Sequence, residues 1–186
     1  MCIRDSREPV LAGAVLLATS AKTGEETLRW QARQIGEKLL PTPVRAIMRL
    51  FRTDMLKQQD KSIAKLKATT ADVTRMNLAK VNAKWMREFI AYDPLPALAA
   101  ASVPLLAITG SKDVQVDPAD LRVIAQTAPN AQVLEVPDVD HILRHEPGPH
   151  SNPRHYGRQI EPPLDLRVSE AVLAWLAELP ALRRAA

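Results

Sequence analysis

Three short apolar runs stand out along this chain of 186 residues, at 10–19, 103–109 and 132–136. Each run has the length of one strand. Apolar residues are nearly continuous in the first two runs, whereas the third, QVLEV, includes Gln132 and Glu135. Continuous apolar runs of this length are typical of strands that are buried on both faces of a parallel sheet. The pattern therefore predicts an α/β protein with three parallel strands.

The segment between the first two runs has helical periodicity instead. Thr23 and Glu26 have the spacing of a capping box, which predicts a helix from Thr23 to about Leu40, before Pro41. Further helices are predicted at 43–52, 54–68 and 72–91. This helical excursion of roughly 70 residues is far longer than a crossover between parallel strands requires.

The second half of the chain alternates helices with strands. A short helix is predicted at 95–100, and Asp117 is expected to cap a helix that begins at Pro118. A loop at 137–163 contains six prolines, and a last helix is predicted at 165–179. The apolar side of that helix is expected to consist of Leu166, Val168, Val172, Leu173, Trp175 and Leu176.

The composition is that of an ordinary globular domain, with 46% hydrophobic and 25% charged residues. Pro96, Ser102 and Pro104 interrupt the longest apolar stretch, which argues against a membrane span. Cys2 is the single cysteine, so we expect no disulfide and no thiolate metal site, which favours a cytoplasmic protein. A secretory signal around the first apolar run is the alternative, but Asp5 and Glu8 cancel its basic charges.

Charge is distributed unevenly along the chain. Residues 22–92 carry 15 Lys and Arg against 7 Asp and Glu, a net charge of +8, whereas residues 93–186 carry 8 against 12, a net charge of −4. The basic segment is either a set of solvated helix faces or a surface that attracts anionic lipid or acidic substrates. Its basic residues are dispersed and lack a recognised motif, so we expect no nucleic-acid partner.

Two ionisable residues follow the second and third apolar runs. Asp113 lies in GSKDVQVDP after the second run, and His141 follows AQVLEVPDVD after the third. The crevice of an open parallel sheet lies beyond the carboxyl ends of its strands, which makes both residues candidates for a functional site. The alternatives are a carboxylate that satisfies the amides of a turn and a histidine in a surface loop.

Three other groups of residues have chemical potential. His145, His150 and His155 follow His141 at intervals of four and five residues, but prolines interrupt this segment, so we expect a solvated loop and no metal site. Ser111 is expected to be a turn residue rather than a nucleophile. Aromatic and methionine residues of the helical segment could line an acyl pocket, although apolar residues at helical spacing more often serve ordinary packing.

The order strand, helical segment, strand ending in G-x-x-D, helix, strand ending at D-H and final helix resembles the C-terminal part of an α/β-hydrolase. The resemblance covers residues 9–179 and is closest to the branch of lysophospholipases, monoglyceride-lipase-like esterases and serine aminopeptidases. It implies that the three strands are strands six to eight of that fold and that residues 22–92 form a cap. It also implies that Asp113 is the acid and His141 the base of a catalytic triad. Asp138 and Asp140 are weaker acid candidates.

The nucleophile of such a triad is missing from the sequence. Its motif, G-x-S-x-G, requires two glycines four residues apart, and no two of the six glycines have that spacing. The first six residues, MCIRDS, resemble the translation of a sequencing adapter, which predicts that the natural sequence begins near Arg7 and is N-terminally truncated. The nucleophile would then stand upstream, and the chain itself would be inactive.

The sequence therefore predicts an artefact at 1–6 and a partial α/β-hydrolase domain at 7–186, divided into a cap at about 22–92 and an acid-and-histidine half at about 93–180. The parent protein is expected to be a serine hydrolase that cleaves an ester, lipid or peptide through an acyl-enzyme without a cofactor. Esterase and peptidase remain equally open. The competing hypothesis is a binding or interaction module that kept the scaffold without catalysis.

Overall fold

The computed structural model describes residues 11–51, 53–76 and 79–179. The predicted artefact at 1–6 and the start of the first predicted strand at Val10 lie outside these ranges. The chain forms two compact units. One consists of residues 22–93, and the other consists of the described residues up to Ala21 together with those from Pro94 onward.

The described residues contain five strands and eight α-helices. The strands are β1 (Ala14–Leu17), β2 (Val73–Met76), β3 (Ala79–Asn82), β4 (Leu105–Gly110) and β5 (Ala131–Val136). The helices are α1 (Gly24–Gln34), α2 (Thr42–Leu50), α3 (Met55–Ala68), α4 (Ala83–Ala91), α5 (Leu95–Ala99), α6 (Asp120–Thr127), α7 (Tyr156–Gln159) and α8 (Leu166–Glu178). No helix among the described residues has the length and apolar character needed to cross a membrane.

The unit that contains Pro94 onward is built on a parallel sheet in the order β1-β4-β5. Leu105 of β4 is in register with Ala14 of β1 on one side and with Ala131 of β5 on the other. All six residues of the central strand β4 are buried. The three parallel strands predicted from the apolar runs are confirmed, and the fold class is α/β.

Side chains of β4 alternate between the two faces of the sheet, as the strand period requires. Leu105 and Ala107 pack into one cluster with Leu121 and Ile124 of α6, while Leu106 and Ile108 pack into a second cluster with Trp175 of α8. The predicted apolar side of the last helix is only partly correct. Leu166 and Leu173 are exposed, whereas Val168 and Trp175 are buried.

The unit at 22–93 begins with the predicted capping box. The Thr23 hydroxyl accepts a hydrogen bond from the Glu26 amide, and the Glu26 carboxylate accepts one from the Thr23 amide. Helix α1 continues as a single π-helical turn at Ile35–Leu39, where the Leu40 amide donates to the Ile35 carbonyl at 3.0 Å. A core of Ile63, Leu66, Ala83 and Ile90 holds the unit together.

The helix predicted at 72–91 is wrong in its first half. Strands β2 and β3 form an antiparallel pair there, with Val73 opposite Asn82. Helix α4 begins only after Asn82, whose side chain accepts a hydrogen bond from the Trp85 amide at 2.9 Å. The β-branched residues Val73 and Val81 favour an extended backbone. Over so short a stretch, the spacing of the apolar residues fits the strand period and the helix period alike, so the pattern did not distinguish the two.

Two further boundaries differ from the prediction. Asp117 caps a turn before α6 rather than the helix itself, since its carboxylate accepts from the Ala119 amide and its carbonyl accepts from the Asp120 amide. The proline-rich loop contains a 3₁₀ turn at Pro153–His155 and the short helix α7. Proline at the start of a helical turn is tolerated, so proline alone did not exclude these turns.

Candidate active site

Asp113 lies in a tight turn directly after β4. Its side chain is completely buried, and Oδ1 accepts hydrogen bonds from the amides of Gln115 and Val116 at 2.7 and 2.8 Å. Its own amide donates to the Gly110 carbonyl. Oδ1 therefore satisfies the amides of a turn, as one of the two alternatives from the sequence proposed for Asp113. Oδ2 is left for another partner.

His141 lies in a compact loop after β5. The loop is closed by an isolated β-bridge between Val139 and His145 and by a hydrogen bond from the Asp140 amide to the Arg144 carbonyl. Leu143 takes a left-handed backbone conformation, with φ of 59°, at the tip of this loop. These contacts fix the backbone that carries His141.

The structure brings Asp113 and His141 into direct contact. Nδ1 of His141 lies 2.9 Å from Oδ2 of Asp113. A carboxylate oxygen only accepts, so Nδ1 donates and Nε2 is left as the basic nitrogen of the ring. The His141 side chain is 27% exposed, whereas that of Asp113 is completely buried. A buried acid that orients a partly open imidazole is the arrangement that a general base requires.

The two loops are locked to each other by backbone contacts. The amides of Ser111 and Lys112 donate to the carbonyls of Val136 and Val139, both at 2.9 Å. The Ser111 hydroxyl accepts from the Asp138 amide at 2.9 Å, so Ser111 is an anchor between the loops, as expected for a turn residue. Gly110 is required here, because a Cβ atom would lie 2.1 Å from the Val139 carbonyl oxygen.

Lys112 adds a charged link between the same loops. Its Nζ donates to the Glu146 carbonyl at 2.7 Å and lies 2.8 Å from Oδ1 of Asp138. The hydrogen bond from Lys112 holds the pKa of Asp138 below its usual value. The ammonium group thereby stabilises the turn at Asp138, which has a left-handed φ of 59°.

Asp140, which the sequence indicated only as a weaker candidate for the acid, is a buried carboxylate. Its Oδ1 accepts from the Arg144 amide at 2.9 Å, while Oδ2 has no hydrogen-bond partner among the described residues. Burial raises the pKa of this carboxyl group. Although Asp140 is the neighbour of His141 in sequence, the imidazole is bonded to Asp113. The sequence carried no signal for burial at this position.

The remaining histidines are not joined to His141. Residue 145 takes part in the β-bridge, and residues 150 and 155 lie in the proline-rich segment. In the described ranges, no group of three His, Cys, Asp or Glu side chains is arranged to hold a metal ion.

A pair of hydroxyl groups that the sequence did not predict lies in the proline-rich segment. The hydroxyl of the fully buried Ser151 lies 3.2 Å from the Tyr156 hydroxyl. Burial raises the pKa of Tyr156. Within the described residues, neither these hydroxyls nor any other hydroxyl or thiol is hydrogen-bonded to the His141 ring.

No protein-family model matches the chain, and no curated protein matches its sequence. Solved structures do match in fold. Est1E from Butyrivibrio proteoclasticus has a TM-score of 0.52 at 14% identity, covering 96% of this chain and 56% of Est1E. VinJ has a TM-score of 0.50 at 16% identity, covering 95% of this chain and 61% of VinJ. A thermophilic esterase from Thermogutta terrifontis is 24% identical, with a TM-score of 0.45, covering 91% of this chain and 57% of the esterase.

The chain thus spans less than two thirds of the length of each of these proteins. The solved structures that match have the α/β-hydrolase fold, and the described residues correspond to part of that fold. The fold expected from the resemblance is confirmed at this level. At identities this low, structural similarity establishes the fold only, and the chemistry has to be argued from the residues of the site.

Proposed function

We propose that Asp113 and His141 are the acid and the base of a serine-hydrolase triad. The observation that carries this proposal is the 2.9 Å contact between Asp113 Oδ2 and His141 Nδ1, made by a buried carboxylate whose other oxygen is held by two amides. The parent protein would supply the nucleophile from a segment upstream of this chain. Its substrate would be an ester or amide of a small molecule, lipid or peptide.

The geometry supports one division of roles. Asp113 keeps the proton of His141 on Nδ1 and stabilises the imidazolium that forms during the reaction. The free Nε2 takes the proton of the attacking hydroxyl as the acyl-enzyme forms and returns it to the leaving group. Water then enters, Nε2 accepts its proton, and the acyl group leaves as the acid while the serine is regenerated.

Within this chemistry, the resemblance to lysophospholipases, monoglyceride-lipase-like esterases and serine aminopeptidases leaves an esterase and a peptidase equally open. The basic balance of residues 22–92, at +8, supports an amphiphilic or acidic substrate more than a cationic one. A peptidase of the same fold would need the same acid and base, so substrate profiling of the parent protein distinguishes the two.

The test is a comparison of the complete open reading frame with the 186-residue chain. We expect a fluorophosphonate probe to label the parent at one serine and to leave this chain unlabelled, because acid and base alone cannot form an acyl-enzyme. In the parent, His141→Ala should lower kcat by several orders of magnitude with little change in substrate binding.

Matched controls are the alanine variants of residues 145, 150 and 155, which should retain most of the parent's activity. An active His141→Ala parent would refute the triad. The competing hypothesis is a binding module on the same scaffold, and it predicts that no serine of the complete protein reacts with the probe.

A further inference from the structure

A cavity of about 330 Å³ lies within the unit at 22–93. It is formed by the end of α1 with its π-helical turn, by α2 and by the start of α3. We call it the arginine cavity, after the three arginines in its lining, Arg33, Arg45 and Arg49. Its volume falls at the lower end of the range for small-molecule sites.

The arginine cavity has an excess of available positive charge. No ion pair or hydrogen bond joins the side chain of Arg33 or Arg49 to another residue in the described part of the chain. Arg45 donates only to the Glu37 carbonyl and the Thr42 hydroxyl, so it too lacks a carboxylate partner. Of the two acidic residues in the lining, Asp54 is occupied as the N-cap of α3, where it accepts from the Lys57 amide. The other, the exposed Glu37, offsets one of the three arginine charges.

Apart from Glu37, Thr53 and Asp54, the rest of the wall is apolar and adaptable. Leu40, Met48, Met55 and Leu56 contribute to it, and thioether side chains adjust readily to irregular ligands. Helix α2 has no buried residue, and its least exposed side chains, Arg45 and Met48, are two that line the cavity. The inner face of α2 therefore covers space that a ligand could fill.

A π-helical turn borders the same space. Gly36 of this turn lies in the lining, and single π-turns in helices are often found at functional sites. Guanidinium groups bind carboxylates through paired, charge-assisted hydrogen bonds, and an adjoining apolar wall suits an alkyl chain.

We propose that the arginine cavity binds a single-chain anionic amphiphile, an alkyl carboxylate with its head at Arg33 and Arg49 and its chain against Met48 and Met55. All of these residues belong to the unit at 22–93. The proposal is therefore independent of Asp113 and His141, and either one can fail without the other.

The test is titration calorimetry of the full chain with decanoate below its micelle concentration. We expect saturable binding that raises the melting temperature, since a ligand of the folded state stabilises it. The double variant Arg33→Gln/Arg49→Gln should weaken binding by about tenfold or more, because charged hydrogen bonds are lost. Octanoate should bind about tenfold more weakly than decanoate, since two fewer methylenes are buried.

Arg75→Gln is the matched control, because Arg75 is exposed and lies outside the cavity lining. Its affinity for decanoate should equal that of the unmodified chain. Equal losses in both variants would show a general charge effect and overturn the site. Equal binding of decyltrimethylammonium would show an apolar site without anion recognition and would also overturn it.

Two further ligands define the chemistry. Binding of decyl phosphate that also depends on Arg33 and Arg49 would support the site, and its affinity relative to decanoate would rank the two head groups. Vesicles of anionic phospholipid provide the opposing outcome. One result would show that the basic segment contacts a membrane surface and that the cavity proposal is wrong. In that result, vesicles bind the chain but monomeric decanoate does not, and the Arg33→Gln/Arg49→Gln variant binds vesicles as well as the unmodified chain does.

Discussion

The two oxygens of Asp113 have separate partners, and this determines how the residue can be replaced. Oδ1 accepts from the Gln115 and Val116 amides, while Oδ2 faces Nδ1 of His141. An asparagine must keep its single oxygen toward the two amides, because its NH₂ group cannot accept hydrogen bonds. The NH₂ group would then face Nδ1 of the imidazole.

Asp113→Asn should therefore reverse the tautomer of His141 without unfolding the loop. Nδ1 would become the acceptor and Nε2 would carry the proton, so the ring could no longer act as a base. In the complete parent we expect kcat to fall by about 10⁴ with a nearly unchanged KM. Steady-state kinetics measures this loss, and a parent with undiminished kcat would show that Asp113 does not orient a catalytic base.

Asp140 allows a prediction for the 186-residue chain itself. Burial raises the pKa of its carboxyl group, so the unfolded state releases this proton more readily than the folded state. The contribution of Asp140 to the free energy of unfolding is complete at a pH below the ordinary pKa of 3.8. It is lost as the pH rises through the raised pKa of the folded state. Asp140→Asn keeps the shape and removes the titration.

Asp140→Asn should therefore be more stable than the unmodified chain at pH 7, and the difference should vanish at low pH. Urea denaturation between pH 3 and pH 7 measures it. Asp138→Asn is the opposite control, because Lys112 lowers the pKa of Asp138 and the substitution removes that ion pair. It should be neutral or slightly destabilising at pH 7, since the Asp138 side chain is 55% exposed. Parallel pH profiles for the two variants would contradict the argument.

At the scale of elements, the ends of β4 and β5 behave as one interlocked structure. The close approach of Gly110 to Val139 and the backbone and side-chain hydrogen bonds of Ser111 and Lys112 join the turn that carries Asp113 to the loop that carries His141. Parallel neighbouring strands bring the two turns to the same sheet edge, and these contacts then set the distance between acid and histidine.

Gly110→Ala should separate the two turns. The new Cβ would lie 2.1 Å from a backbone oxygen that is itself hydrogen-bonded, so the backbone has to move. Forced overpacking of this kind typically costs about 1–3 kcal/mol or more in the free energy of unfolding. Gly157→Ala is the matched control, since nothing lies within 4 Å of its added Cβ. Urea denaturation compares the two, and equal stability would show that the approach at Gly110 is not tight.

Sequence patterns predicted the elements that depend on local chemistry or on burial from both sides. The capping box at Thr23 is a local signal, and the buried strand β4 is a continuous apolar run, so both were found. The pair β2 and β3 was missed because four-residue strands are too short to separate a period of 2 from one of 3.6. Leu173 was misassigned because a helix of this length carries more apolar residues than its buried face accommodates.

The candidate site could be anticipated only in part. Asp113 and His141 each follow an apolar run, and the rule for parallel strands places such residues at one sheet edge. Asp140 and Glu146 have the same polar character in sequence but are buried by the shape of a loop, which a local pattern does not encode. The Ser151–Tyr156 pair likewise depends on how the proline-rich segment folds back on itself.

At the scale of the whole molecule, β1 is an edge strand of the parallel sheet in the part of the chain that the structure describes. Strand β1 pairs only with β4 among the described residues, and Leu17 of β1 is 38% exposed. An apolar edge strand with unpaired backbone groups is a template for association between chains. We therefore expect the 186-residue chain to self-associate.

Leu17→Lys should reduce this association, because a charged side chain on an edge strand opposes pairing with another copy. Sedimentation velocity across a range of concentrations measures the effect. Leu173→Lys adds the same charge at an exposed apolar position of a helix, α8, rather than of a strand, and should change association much less. If the chain is monomeric throughout, or if both variants behave alike, the edge of β1 is not the contact.

Every hydrogen bond that fixes Asp113 and His141 comes from residues beyond Pro94, although the chain between β1 and β4 includes the entire unit at 22–93. The contact between Asp113 and His141 is thus built without any hydrogen bond from residues 22–93. An engineer could therefore exchange residues 22–93 for another segment and expect the 2.9 Å contact between Asp113 and His141 to persist.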